Sequence, residues 1–212
     1  MSIWGRQRDD DRAADKPGPG RSVPEVEAIE LALLQGVIRG RHADFETLYR
    51  IYHPRLQRFV VQMTHRAELV DEVLDDTMMV VWQRAAAFDA RSKLSTWIFG
   101  IAYRKGLKAL SRLDLPQEDP DADSQSEPGP NPEQRLGLAQ TQARLQKALG
   151  ELSADHRAVV ELCYFQGLAH GEIADIVGCP AETVKTRMFY ARRRLKTLLA
   201  DLVEGSPEGR DE

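Results

Sequence analysis

Apolar residues recur at three- and four-residue steps along most of this chain, which is the spacing of helices that bury one face. The first such stretch crosses the His53-Pro54 pair. Because a proline disfavours helix at the residue before it, we predict a helix that kinks or restarts there. Residues 69–82 give the clearest amphipathic pattern, and a further helix is predicted from Leu94 to about Leu113.

In the second half of the chain, after a break, apolar residues again recur at three- and four-residue steps. Helical spacing resumes at about Glu133 and continues to Leu149. Ser153 stands where an N-cap belongs, at the start of a helix that we expect to stop at Gly167. Strand-like alternation of useful length does not occur, and there is no internal repeat. The pattern therefore predicts an all-α fold.

The break between the helical stretches, residues 114–131, holds four prolines and almost no large apolar side chain. Such a segment buries too little to offset the entropy of ordering it. We therefore predict two small helical domains, residues 25–113 and 132–200, joined by a flexible acidic linker at 114–131. A disordered N-terminal tail (1–24) and an acidic C-terminal tail (201–212) complete the predicted organisation.

Composition places the chain among globular proteins, with 42% apolar and 29% charged residues. Its longest apolar run, residues 78–82, is far shorter than the ~18 residues of a membrane span. The first twenty residues carry charges where a signal peptide would be apolar. We therefore expect a cytoplasmic protein without membrane insertion, in which Cys163 and Cys179 are not bridged.

The net charge of −4 conceals a segregation of charge along the chain. Residues 181–200 hold six basic residues against one acid, whereas residues 114–135 hold seven acids against one arginine. A smaller basic cluster with no acid within it consists of Arg104, Lys105, Lys108 and Arg112. Two basic patches separated by an acidic spacer indicate binding to a polyanion at two places.

Residues 170–199 have the pattern of a helix, a tight turn and a longer helix, which offers the second helix to a DNA major groove. Gly178 suits the positive φ of the turn, and Pro180 suits the first position of the second helix. On that helix we predict a buried stripe of Val184, Met188, Ala191 and Leu195.

The opposite side of the second helix is basic, hydroxyl-bearing and aromatic. Its N-terminal part is expected to reach base edges through Thr183, Lys185, Thr186, Arg187 and Tyr190. Its later part, the Arg192 to Lys196 run that includes Arg193 and Arg194, is better placed for phosphates. The alternative is that this side is only a solvated charged face.

The stretch GLAHGEIADIVGCPAETVKTRMFYARRRL resembles region 4 of extracytoplasmic function sigma factors, the smallest members of the sigma-70 superfamily. The stretch LVDEVLDDTMMVVWQRAAAF, followed by STWIFGIAYRKGLKAL, is similar to their region 2. The resemblance covers roughly residues 40–113 and 140–200. It implies a factor that directs RNA polymerase to promoters, with region 4 reading the −35 element and region 2 capturing the melted −10 element.

The resemblance also implies partners and site residues. The partners are promoter DNA, an anti-sigma factor and core RNA polymerase, contacted at the β′ clamp helices and the β subunit. The polymerase-binding segment, usually Asp-Leu-Val-Gln-Glu, aligns with Glu72, Val73, Leu74, Asp75 and Asp76, where Asp75 replaces glutamine. In the −10 helix the phosphate-binding cations are Arg104, Lys105, Lys108 and Arg112, and Tyr103 is the candidate stacking residue. The family often has asparagine at the position of Arg104, so its −10 base preference is not carried over.

Two other classes of function remain open at this stage. One is a helix-turn-helix regulator that binds an operator by itself, and the other is an interaction module whose basic helix meets an acidic protein. We find no Cys-x-x-Cys pair, no phosphate-cradling glycine loop and no paired nucleophile and base. The sequence therefore predicts no enzymatic activity, no metal and no cofactor.

Overall fold

A computed structural model describes residues 23–113 and 143–200, and every regular element in these two ranges is helical. The first range contains α1 (Val23–Ile38), α2 (His42–Thr64), α3 (Val70–Arg84) and α4 (Leu94–Leu113), with 3₁₀ turns at Ala67–Leu69 and Ala85–Ala87. The second contains α5 (143–150), α6 (Ala154–Tyr164), α7 (His170–Val177) and α8 (Ala181–Leu198). The all-α prediction is confirmed, while the predicted linker and C-terminal tail, with most of the N-terminal tail, lie outside the described residues.

Helices α1 to α4 form the first region, a bundle around α2 and α4. Fully buried side chains of α2 follow one another at helical spacing, and Phe59 meets Phe99 of α4 edge-to-face with 5.3 Å between ring centroids. Such aromatic pairs add about 0.5–1.5 kcal/mol to the free energy gained by burying their area. This core fixes the orientation of α3 and α4, which carry the predicted region 2 residues.

Helix α2 runs through Pro54 as one helix, so of the kink or restart that we expected there, the restart does not occur. The residues on both sides of the proline, Leu48, Tyr52 and Leu56, are completely buried in register. A proline inside a helix costs about 3 kcal/mol, whereas each large apolar side chain gains ~1.5–3 kcal/mol on burial. Packing along α2 therefore outweighs the local effect of the proline.

The second region, residues 143–200, follows its sequence prediction at two local features and departs from it at two others. The Ser153 side chain caps α6 by accepting from the backbone N–H of His156. Gly178 has φ of +68° after α7, so it supplies the left-handed turn. Pro180 immediately precedes the first residue of α8, one position earlier than predicted. Helix α6 ends at Tyr164, three residues before the expected stop at Gly167.

The two regions pack on each other along a seam, the contact of α2 and α4 with α6 and α7. One apolar core continues across it, and α4 approaches α7 so closely that a Cβ at Gly100 would lie 3.8 Å from the Cα of Ile176. Polar contacts cross the seam too, since the Arg157 Nε donates to the carbonyl of Met63 at 2.8 Å. The sequence predicted the two domains but not their docking.

A buried carboxyl group lies in the seam. Glu161 of α6 is 2% exposed, and its Oε1 is 3.1 Å from the Nε of Arg58 in α2. Burial raises the pKa of Glu161 to about 7, although Arg58 opposes that rise. The guanidinium of Arg58 also stacks 4.0 Å from the ring centroid of Phe165.

None of the helices in residues 23–113 and 143–200 is long and apolar enough to cross a membrane.

We predict that Glu161→Gln removes a pH-dependent loss of stability. The folded protein binds the Glu161 proton more tightly than the unfolded chain, so this contribution is largest below pH ~4.5 and declines as pH rises through 7. The free energy of unfolding of the parent chain, relative to the variant, should therefore fall between pH 5 and pH 8 by up to ~3 kcal/mol, as measured by urea denaturation.

The difference between the two proteins is the decisive quantity, because His65 and His156 act in the opposite direction. Burial lowers the pKa of both imidazoles, so their contribution to stability is lost on acidification. A stability difference that stays constant from pH 5 to pH 8 would contradict the assignment to Glu161.

Candidate nucleic-acid interface

Helices α7 and α8 pack as a helix-turn-helix. Ile173 of α7 and Val184, Met188 and Ala191 of α8 are buried, with Leu195 packed at the edge of the core. The backbone N–H of Ala169 donates to the Glu172 side chain at 3.0 Å, which satisfies a free donor at the start of α7. The predicted buried stripe is confirmed at Val184, Met188 and Ala191, whereas Leu195 is half-buried, and the other side of α8 faces outward.

The predicted base-reading and phosphate-binding residues of α8 do not share one environment. Those with exposed side chains are Lys185, Thr186, Tyr190, Arg193 and Arg194, while Thr183 is half-buried. Lys185 pairs with Glu182 at 2.8 Å, and the hydroxyl of Thr186 donates to the carbonyl of the same residue. Arg194 lies 3.6 Å from Glu151. Exposed pairs of this kind contribute little to stability and can be exchanged for phosphates.

Arg187 turns away from solvent. Its side chain is 24% exposed, and its Nη2 lies 2.7 Å from the Oδ2 of Asp155 at the start of α6. The guanidinium predicted to reach a base edge is therefore held by a carboxylate of its own region.

An aromatic residue outside the predicted set lies beside it on α8. Phe189 is 61% exposed and meets Tyr190 edge-to-face, with 5.5 Å between ring centroids. The sequence did indicate this exposure, because a phenylalanine outside the buried stripe of a basic helix does not pack in the core. Phe189 and Tyr190 together make an apolar patch on the outer side of α8.

The candidate −10 residues of α4 also divide into two groups. Arg104 and Lys108 are exposed, as a phosphate contact requires. Tyr103, the candidate stacking residue, is only 4% exposed, and its hydroxyl donates to the Oδ1 of Asp155 at 2.7 Å. Burial, followed by the hydrogen bond to Asp155 and its charge, raises the pKa of Tyr103 to about 12.

The remaining two cations of α4 pair with the acids of α3. Lys105 Nζ lies 2.8 Å from Asp76, and Arg112 Nη1 lies 2.6 Å from Glu72. The predicted −10 cations and the predicted polymerase-binding acids therefore adjoin and neutralise each other in part. All four side chains remain partly exposed, so these pairs are accessible to partners.

Of the five residues predicted to bind polymerase on α3, only the acids reach the surface. Glu72 and Asp75 are exposed and Asp76 is half-buried, but Val73 and Leu74 belong to the core at 1% and 2% exposure. Val73 and Leu74 are about 100° apart around the helix axis, and both fall within the wide buried face that holds α3 in place. Met79, 53% exposed one turn further along, extends the acidic surface with an apolar side chain.

Comparisons with known proteins find a separate family match for each of the two regions. The family model described as Sigma-70 region 2 matches residues 48–115, and the model described as Sigma-70, region 4 matches residues 142–195. A curated relative, the ECF RNA polymerase sigma factor RpoE of Cereibacter sphaeroides, is 32% identical over 170 residues, which cover 78% of this chain and 92% of the relative.

Two solved structures are similar to this one. The sigma factor RpoE of Bartonella quintana, in complex with the anti-sigma factor NepR, has a TM-score of 0.57 and 26% identity, covering 74% of this chain and 97% of that one. CnrH, in complex with the cytosolic domain of CnrY, has a TM-score of 0.60 and shares the fold at 23% identity, covering 82% of this chain and 98% of that one.

Proposed function

This chain belongs to the extracytoplasmic function group of the sigma-70 family, and we propose which of its surfaces bind the promoter elements and which binds RNA polymerase. As a sigma factor it acts in promoter-directed transcription by RNA polymerase. The proposal assigns the −35 element to α8, the melted −10 element to α4 and the polymerase to α3. The role is non-catalytic and is exercised in the cytoplasm.

The proposal rests on one observation: the polar and basic side of α8 faces outward from the helix-turn-helix. Thr183, Lys185, Thr186 and Tyr190 lie in its first three turns, where a recognition helix meets base edges. Phe189 joins them as an apolar contact suited to a thymine methyl group. Arg193 and Arg194 are exposed further along α8, and we assign them to phosphates.

On α4, Arg104 and Lys108 serve the phosphates of the melted −10 strand directly. Lys105 and Arg112 also bind these phosphates, once their ion pairs with Asp76 and Glu72 are broken. Tyr103 provides a face on which an unstacked base rests, since aromatic rings are the usual platform for single strands. Its burial means that this role follows a separation of α4 from the second region.

The acids of α3 are the proposed contact with core polymerase. Glu72, Asp75 and Asp76 form a negative surface with Met79, which suits a basic partner surface such as the β′ clamp helices. Contacts with the β subunit are assigned to the second region. An anti-sigma factor is a further proposed partner, because the sigma factor of Bartonella quintana was solved with one.

We predict that the chain confers promoter-specific initiation on core polymerase and binds the same DNA poorly alone. The basic surfaces are small, and core polymerase must set the distance between them. Transcription in vitro with core polymerase, with and without the chain, measures the first part, and fluorescence anisotropy measures the second. Nanomolar binding by the isolated chain, or initiation no better than core alone at every genomic fragment tested, would make the proposal wrong.

Arg187→Ala and Arg193→Ala should differ in kind in the holoenzyme. If Arg187 reads a base, its loss weakens recognition of the −35 element by ~1–3 kcal/mol and relaxes preference at one position. The loss of Arg193 should weaken binding to all sequences alike and reduce the salt slope by ~1. Titrations of matched and scrambled −35 duplexes at several salt concentrations separate the two, and equal, sequence-independent losses would reject this division.

A further inference from the structure

A cavity of about 530 Å³ opens on the surface between the turn that joins α5 to α6 and the second half of α8. Two of its lining residues, Leu152 and Ala191, are apolar and buried, at 6% and 0% exposure. Other lining residues bring nitrogen groups, namely His156 of α6 and Arg193 and Arg194 of α8. The cavity therefore combines positive charge with a small apolar surface.

The positive charge at this cavity is only partly neutralised within the part of the chain that the structure describes. Arg193 and Lys196, one turn of α8 apart, are exposed and form no ion pair with a described residue. Arg194 pairs with Glu151 at 3.6 Å, and both of these side chains are about half exposed. The cavity and its rim therefore suit a ligand that carries several negative charges and an apolar group.

The C-terminal tail, residues 201–212, has this composition and follows α8 directly. It holds five acids against one arginine, and it also holds the apolar pair Leu202 and Val203. Twelve extended residues span up to about 40 Å, whereas α8 rises only about 12 Å from Tyr190 to Leu198. The tail is therefore long enough to turn back along α8 and reach the whole cavity.

We propose that the cavity between the α5–α6 turn and α8 is the docking site of the acidic C-terminal tail, whose carboxylates pair there with Arg193 and Arg194. Leu202 and Val203 supply the apolar side chains that cover Leu152 and Ala191. The consequence for DNA rests on the proposed function, because Arg193 and Arg194 are its phosphate contacts. The docked tail occupies these two cations in place of DNA.

The covalent connection makes this docking effective although each contact is weak. Exposed ion pairs contribute little on their own, but a short tether holds the tail near the cavity at an effective concentration in the millimolar range. DNA then binds only the fraction of molecules in which the cations are free, so its apparent affinity falls by that fraction. Because salt screens exposed charges, the effect should disappear at high ionic strength.

The imidazole of His156 reports docking without DNA, because it lines the cavity and its Nδ1 lies 2.7 Å from the Oγ of Ser153. Burial lowers the pKa of His156, the charge of Arg187 lowers it further, and the charge of Asp155 opposes both. Carboxylates of a docked tail would also raise this pKa. The other charged residues that line the cavity stay the same in every protein compared: Glu151, Arg193 and Arg194.

The test compares three full-length proteins without polymerase. The tail variant carries Glu204→Gln, Glu208→Gln, Asp211→Asn and Glu212→Gln. The linker variant is the matched control, because it loses the same number of charges at another acidic segment, through Glu118→Gln, Asp119→Asn, Asp121→Asn and Asp123→Asn. The pKa of His156 by NMR titration and the affinity for a −35 duplex are measured at about 0.05 M and about 0.5 M salt.

At low salt we expect the pKa of His156 to be about 0.5 higher in the parent than in the tail variant. The tail variant should bind the duplex roughly fivefold more tightly than the parent, and the linker variant should resemble the parent in both measurements. At high salt the differences should vanish. Equal titration of His156 in the parent and the tail variant at low salt, or equal changes in the tail and linker variants, would overturn the docking site.

The titration of His156 is separate from the proposed function, because it uses neither DNA nor polymerase. If the parent supports promoter-specific initiation while His156 titrates alike in the parent and the tail variant, the docking site alone is wrong. If His156 responds to the tail while the parent supports no initiation with core polymerase, the proposed function alone is wrong.

Discussion

The packing of α2 and α4 against α6 and α7 is the constraint on which the rest of the structure depends. It joins the cores of the two regions, buries Glu161 against Arg58, and covers the ring of Tyr103. The same packing fixes what α8 can offer to DNA, because Asp155 is placed where it meets both α4 and α8. Inter-domain contacts are generally modest and permit motion, so a seam of this kind can act as a conformational switch.

Charge pairing within the chain gives a second level of control over the same surfaces. Acids of α3 pair with cations of α4, and Glu151 and Glu182 pair with cations of α8. Exposed pairs contribute about 0–1 kcal/mol each, so DNA or polymerase can replace them at little cost. The isolated chain therefore presents weaker positive and negative surfaces than its sequence implies.

The features predicted correctly from sequence are those determined within a few residues. The Ser153 cap, the left-handed Gly178 and the buried stripe of α8 follow from local spacing and side-chain chemistry. Of the two outcomes expected at Pro54, a kink or a restart, the restart does not occur, because packing along α2 outweighs the local effect of the proline. Val73 and Leu74 could be recognised as core from the same periodicity that located α3, although alignment to a binding motif grouped them with surface acids.

The seam could not be predicted because its contacts join distant positions. Tyr103 and Asp155 are 52 residues apart, and Arg157 and Met63 are 94 apart, so no periodic pattern links them. Glu161 likewise appears in the sequence as an ordinary helix acid, and only the packed α2 shows it to be buried. The candidate residues could be selected from the sequence, but the arrangement in which Tyr103 is buried and Arg187 pairs with Asp155 could not.

The distance between the two regions tests the account most directly. Spin labels at the exposed positions Asp71 of α3 and Asp175 of α7, with both native cysteines replaced by serine, report that distance by pulsed electron resonance. We expect one short, narrow distribution for the free chain and a longer one when core polymerase is bound. A broad, long distribution in the free chain, unchanged by polymerase, would contradict it.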